Sequence, residues 1–113
     1  MMVADPNVIP AIEVEDLRRQ LDGAKVPYIL DVREPHETAL CAIAGACNIP
    51  LTQLPQRAQE LPRDCLVVVH CHHGGRSARA TQWLRHQGFE QVVNLTGGID
   101  AWALRVDPNM ERY

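Results

Sequence analysis

Short, solid apolar runs constrain this chain most: Tyr28-Ile29-Leu30-Asp31-Val32, Leu66-Val67-Val68-Val69-His70 and Val92-Val93-Asn94-Leu95. Each is too short for an ordinary helix, and none alternates apolar with polar as a strand with one wet face does. Between them the period changes. Val14, Leu17, Arg18 and Leu21 fall at i, i+3, i+4 and i+7, and Gly23 stops the pattern. Leu51, Leu54, Ala58 and Leu61 line a second helix closed by Pro62, with Pro55 in its first turn because a later position would break it. Asn48-Ile49-Pro50 ends another extended piece. Gly75 to Gln87 reads as a helix with Gly88 as its stop, and Ile99 to Leu104 as a short last one. Strands buried on both faces and separated by helices imply an α/β fold, a parallel sheet with helices on both faces. Reacting groups in such folds gather at the carboxyl ends of the strands. That rule selects Asp31 to Glu34 and Cys71.

A chain of 113 residues suffices for one domain and one core. The expected domain is 1–113 with a core of about 9–105. The ends, 1–8 and 106–113, are polar and Pro-containing and are expected at the surface. A net charge of −3 gives no footprint for nucleic acid, and no cationic amphipathic stretch suggests a membrane. Met1-Met2-Val3-Ala4-Asp5-Pro6 lacks the charged and apolar regions of a signal peptide, and no run is long enough to span a bilayer. A cytoplasmic location is the expectation, with Cys41, Cys47, Cys65 and Cys71 as reduced thiols.

Cys71 ends the Leu66–His70 run and opens the loop Cys71-His72-His73-Gly74-Gly75-Arg76-Ser77, which leads straight into a helical pattern. A lone cysteine at a strand end is ordinarily a small buried hydrophobe. The Gly-Gly-Arg-Ser that follows reverses this reading. Gly74 and Gly75 permit backbone angles that let a loop curl around the sulfur with its amides inward, a nest that binds anions. The helix N-terminus favours thiolate over thiol. Arg76 adds a fixed positive charge, and Arg79, one turn on, is placed to add another. Ser77 is a good residue to cap the helix. The pocket suits a thiolate, a persulfide or a tetrahedral anion beside the sulfur.

The loop resembles the active-site loop of rhodanese-type sulfurtransferases, and the resemblance covers nearly the whole chain. Leu30-Asp31-Val32-Arg33-Glu34 looks like the family's aspartate-arginine segment after the second strand. Ile43-Ala44-Gly45-Ala46-Cys47-Asn48-Ile49-Pro50 is similar to its Gly-Ala-x-Asn-Ile-Pro segment. Leu95-Thr96-Gly97-Gly98-Ile99-Asp100-Ala101-Trp102 looks like its Gly-Gly-x-x-Ala-Trp signature. The resemblance implies a rhodanese-like domain with a central sheet of about five strands. It implies a thiosulfate sulfurtransferase in which Cys71 takes the outer sulfur of a donor such as thiosulfate as a persulfide. A thiophilic acceptor, cyanide or a thiol, then removes it. The amides of residues 72–77 would stabilise the persulfide. Arg76 would attract the donor's sulfonate or hold the loop. No metal or organic cofactor is needed, and a sulfur-relay protein is a possible partner. The same fold resembles cell-cycle dual-specificity phosphatases, whose loop carries one residue more between Cys and Arg. The four residues between Cys71 and Arg76 favour sulfur over phosphate. Phosphatase, arsenate reductase and a non-catalytic sulfur-relay or docking module are the alternatives. Where many members carry Gly-His, this chain has Cys41-Ala42, which changes the expected rim and adds a second thiol at a distance the sequence does not give.

His70, His72 and His73 flank Cys71, but adjacent residues on an extended segment point to opposite sides, so a shared metal ion is not expected. His72 and His73 are expected at the pocket mouth and His70 as a hydrogen-bonded strand residue. Asp31 and Arg33 either contact substrate or, as preferred, form an ion pair that braces the loops around Cys71. Cys47 and Cys65 are expected as core or edge thiols and Cys41 as a possible resolving thiol. Trp83 and Trp102 are expected to pack, and Gly97-Gly98 to turn the chain into a helix.

Overall fold

The computed structural model describes residues 8–113. Its elements follow in the order β1 (Ala11–Ile12), α1 (Val14–Leu21), β2 (Tyr28–Asp31), α2 (Pro35–Thr38), β3 (Cys47–Asn48), α3 (Leu54–Arg57), β4 (Val67–His70), α4 (Gly75–His86), β5 (Val92–Leu95) and α5 (Gly98–Arg105). The strands form one parallel sheet in the order β1-β5-β4-β2-β3. The expected parallel α/β sheet of five strands is present. β4 lies at its centre, paired with β2 from Tyr28↔Val67 to Asp31↔His70 and with β5 from Val67↔Val92 to Val69↔Asn94.

Alternation along β4 divides the core. Val67, Val69 and Cys71 join Leu30, Leu54, Ala80 and Leu84 on the side of α3 and α4. Val68 joins Val14, Leu17, Ile29, Ile99 and Trp102 on the side of α1 and α5. Helices therefore cover both faces, and β4 is buried throughout, which is why it carries no polar alternation. Each fully buried Val or Leu adds about 1.5–3 kcal/mol relative to exposure. Both tryptophans pack: Trp102 is buried, and Trp83 lies against the α4-side core.

Differences from expectation have local causes. The second helix is broken into a 3-10 turn at Leu51–Gln53, α3, and another 3-10 turn at Ala58–Glu60. Pro55 sits in the first turn of α3, as its missing N–H requires, and this stops a continuous helix from starting at Leu51. α2 was not anticipated. Pro35 opens it, and the Glu34 and Glu37 side chains each take the other's backbone N–H in a capping box. Of the expected surface ends, residues 1–7 lie outside the described residues and Val8 is exposed. At the other end Pro108, Asn109, Glu111, Arg112 and Tyr113 are exposed as expected, while Val106 and Met110 also pack against the α1–α5 core and Tyr113 stacks on His72 of the Cys71 loop. No helix among the described residues is long and apolar enough to cross a membrane.

Candidate active site

β4 delivers Cys71 to the carboxyl edge of the sheet, and the chain then bends sharply over residues 72–74. Gly74, with φ at 113°, is the N-cap residue of α4. An L side chain is disfavoured at that angle. Gly75 needs no such freedom, being the first helical residue. Ser77 lies three positions into α4 and makes no cap; it is buried and turned to the sulfur instead. Orphan amides of the first turn therefore face Cys71. Its Sγ accepts the Gly74 N–H at 3.1 Å and the Ser77 N–H at 3.4 Å, with Ser77 Oγ also at 3.4 Å. Burial raises the thiol's pKa. The Ser77 hydroxyl and the amides of Ser77, Gly74 and Arg76 together outweigh it, and Cys71 titrates below an ordinary thiol. Only 1% of Cys71 is exposed, so its sulfur forms the floor of the loop.

Ser77 Oγ has one proton and two acceptors. Asn94 Oδ1 is 2.5 Å away and the sulfur 3.4 Å, so the nearer oxygen takes the larger share. The amides therefore do more than the hydroxyl for a thiolate. Asn94 Nδ2 also donates to the Gly74 carbonyl at 3.3 Å, tying β5 to the loop.

The Arg76 side chain is engaged by a carboxylate rather than by the sulfur. Its Nη1 and Nη2 meet Glu37 Oε1 and Oε2 at 2.7 and 2.9 Å, a bidentate pair between α4 and α2. Arg76 holds the Glu37 carboxyl far below the usual carboxylate range despite burial, with help from the Tyr113 hydroxyl and the Glu34 amide. Arg79 is exposed beside Trp83 and Leu51 in a groove of about 310 Å³.

Asp31 and Arg33 form a buried ion pair. Arg33 Nε meets Asp31 Oδ1 at 3.0 Å and Nη2 meets Oδ2 at 2.7 Å, and the Arg33 amide donates to Oδ1 at 3.0 Å. Arg33 also donates to the carbonyls of Glu37 (3.3 Å) and Cys41 (2.8 Å) and to Tyr113 Oη (3.0 Å). Asn48 secures the same turn, donating to the carbonyls of Asp31 and Arg33 at 2.9 and 2.8 Å. His70 Nδ1 lies 3.2 Å from the Cys71 carbonyl, to which it donates. Its Nε2 has no partner and faces Asp31 Oδ2 at 3.6 Å. Burial pulls the His70 pKa down more than Asp31 lifts it, so the ring is neutral.

The bend changes one expectation. His72 and His73 do not point apart; their rings stack at 3.9 Å. With Asp100 their ligand atoms lie within 4.8 Å of one another. Stacked rings carry their in-plane lone pairs side by side rather than toward one point, and Asp100 is already paired with Arg112 at 2.9 Å. Tyr113 stacks on the other side of His72 at 3.9 Å and donates to Glu37 Oε2 at 2.8 Å. Cys41 Sγ is 3.9 Å from Arg33 Nη1. Cys47 is exposed on β3, Cys65 is half-buried, and all four cysteines are free thiols. Sequence reasoning missed Glu37, Asn94 and Tyr113. The Pro35 and Glu37 spacing after Glu34 was a usable signal for a capped helix. A lone Asn within the apolar β5 run was a second, and Tyr113 left none.

The Rhodanese-like domain family model matches residues 13–105. A sulfurtransferase of Allochromatium vinosum is 38% identical over 96 residues, covering 85% of this chain and 90% of that protein. An adenylyltransferase and sulfurtransferase of Arabidopsis thaliana is 32% identical over 126 residues, covering 95% of this chain but 27% of its own length. The crystal structure of a rhodanese-related protein from Thermoplasma volcanium superposes with a TM-score of 0.79 at 35% identity, covering 86% of this chain and 93% of that one. A cysteine cradled by amides at the end of a central parallel strand thus coincides with a match across most of the chain, and the chain belongs to the rhodanese-like domain family.

Proposed function

We propose that the chain is a sulfurtransferase in which Cys71 carries sulfur as a persulfide. The observation that carries this reading is the ring of inward N–H groups, Gly74 at 3.1 Å and Ser77 at 3.4 Å, around a sulfur whose pKa is depressed. Such a nest stabilises negative charge on sulfur before and after transfer. The Cys71 thiolate attacks the outer sulfur of thiosulfate. A bond forms between the two sulfurs, the bond to the sulfonate sulfur breaks, and sulfite leaves with the electron pair. Cyanide or a thiolate then attacks the terminal persulfide sulfur, and Cys71 departs as thiolate. Charge is conserved in both steps, and ping-pong kinetics follow.

The remaining residues support the carrier. Arg76, neutralised by Glu37, holds the loop rather than offering a free charge to the donor. Asp31 and Arg33 brace the turn beside it. His72 and His73 form the mouth. Similarity to an adenylyltransferase and sulfurtransferase supports a sulfur-relay protein as one natural partner. The free thiols fit a reducing, cytoplasmic setting.

Intact mass after thiosulfate treatment and desalting tests the reading. The protein should gain one sulfur, lose it to cyanide as thiocyanate, and gain none as Cys71→Ser. No gain from thiosulfate or from a glutathione persulfide donor would overturn it. Turnover of an aryl phosphate by the same protein would establish the phosphatase alternative instead.

A further inference from the structure

Tyr113 makes contacts that an exposed residue does not need for folding. Its ring lies nearly parallel to that of His72, 6° apart and 3.9 Å between centroids. His72 is the residue that follows Cys71. The Tyr113 hydroxyl donates to Glu37 Oε2 at 2.8 Å and accepts from Arg33 Nη1 at 3.0 Å, so both its capacities are used. Glu37 in turn grips Arg76 of the Cys71 loop. Arg112 secures the approach by pairing with Asp100 at 2.9 Å. The crevice between Tyr113, Cys41 and His72 is too narrow for a water molecule, and Cys71 does not line it, so Tyr113 is packed against the side of the loop rather than over the sulfur. Yet Tyr113 is 40% exposed, so it is held at the rim by a stack and two hydrogen bonds rather than locked in the core. Contacts of that kind are individually modest and can be released.

We infer that Tyr113 is a specificity-determining residue of the Cys71 site, a latch at the side of its mouth that admits small sulfur donors and hinders bulky ones until it swings away. The inference deepens the sulfur-carrier reading and rests on it for the nature of the cargo. Thiosulfate would pass with the latch closed. A larger persulfide, or the cysteine of a partner protein, would require it open, and its apparent rate would be reduced by the open fraction.

Alkylation of Cys71 tests the latch without any sulfur transfer. The full chain, Tyr113→Ala and Tyr113→Phe are treated with iodoacetamide and with a pyrene-bearing maleimide, and labelling of Cys71 is followed by peptide mass. Tyr113→Ala should raise the maleimide rate relative to the iodoacetamide rate by at least about ten-fold, the lower limit of the shift expected on losing one stack and two hydrogen bonds. Tyr113→Phe keeps the ring and should fall between, which retains a test if the alanine variant folds poorly. In turnover, kcat/KM for glutathione persulfide should rise against that for thiosulfate. An unchanged ratio of the two alkylation rates in both variants would overturn the latch, as would an equal rise for both reagents. A shifted ratio in a protein that accepts sulfur from no donor would support the latch while refuting the sulfur-carrier reading.

Discussion

Cys71 is buried among donors, and burial alone would make its thiol sluggish. The amides of the first α4 turn reverse that, and they belong to the backbone, so no side-chain substitution removes them. Ser77 supplies one amide and one hydroxyl, and the hydroxyl proton is largely engaged by Asn94 at 2.5 Å. Ser77→Ala should therefore raise the pH at which Cys71 is half alkylated by less than about one unit, with the midpoint still below that of a free cysteine. A midpoint at the free-cysteine value would show that the hydroxyl, not the amides, holds the thiolate. At this scale the sequence exposed Cys71 and the loop that curls around its sulfur, because strand, loop and helix are contiguous. It did not expose Glu37 or Asn94. Glu37 meets Arg76 across 39 positions and Asn94 meets Ser77 across 17, and no local pattern encodes such pairings.

The loop depends on α5 as much as on α4. The Ile99 and Asp100 amides donate to the Cys71 and His72 carbonyls at 3.0 and 3.1 Å, so the first turn of α5 fixes where β4 ends. Gly98 lies against that junction with φ at 61°, and a Cβ there would stand 2.6 Å from the Cys71 carbonyl oxygen and 2.5 Å from that of His72. Backbone cannot yield as a flexible side chain can. Gly98→Ala should cost about 2–4 kcal/mol in urea unfolding and slow Cys71 alkylation in the fraction that folds. Wild-type stability in this variant would mean that α5 can shift outward freely. The sequence placed a turn and a helix at Gly97-Gly98, but a glycine pair does not say which backbone it must approach. α1 and α4 were legible because periodicity and glycine stops agree there, and β5 because its apolar run is short and solid. The broken 51–60 segment was not, because Pro55 permits a helix to start without obliging it to continue.

Across the whole molecule, a largely buried polar network lies at the carboxyl ends of the adjacent strands β2 and β4, where an apolar core would be simpler. Asp31 and Arg33 leave β2, His70 leaves β4, Glu37 comes from α2, and Tyr113 joins them. Breaking such a buried pair from one side is costly, which keeps the set together. Its protonation also ties folding to pH. His70 is neutral in the fold because burial depresses its pKa, whereas in the unfolded chain it takes a proton near pH 6.5. Its contribution is present above about pH 6.5 and is lost as pH falls toward its lower native pKa. Cys71 is depressed as well, so its contribution is complete above about pH 8.5, the unfolded value, and is lost as pH falls through the native one. Glu37 stays ionised far into acid, and its pairing fades only below the ordinary carboxylate range near about pH 4.3. In each case the unfolded chain binds more protons, so stability should rise with pH from about 5 to about 9. Urea unfolding across that range should show two limbs, the acid one flattened in His70→Asn and the alkaline one in Cys71→Ser. A wild-type acid slope in His70→Asn would mean that His70 binds protons equally well folded and unfolded, and a steeper one that His70 is protonated in the fold. It would then pair with Asp31, and the orphaned Nε2 would hold a proton that Asp31 shares.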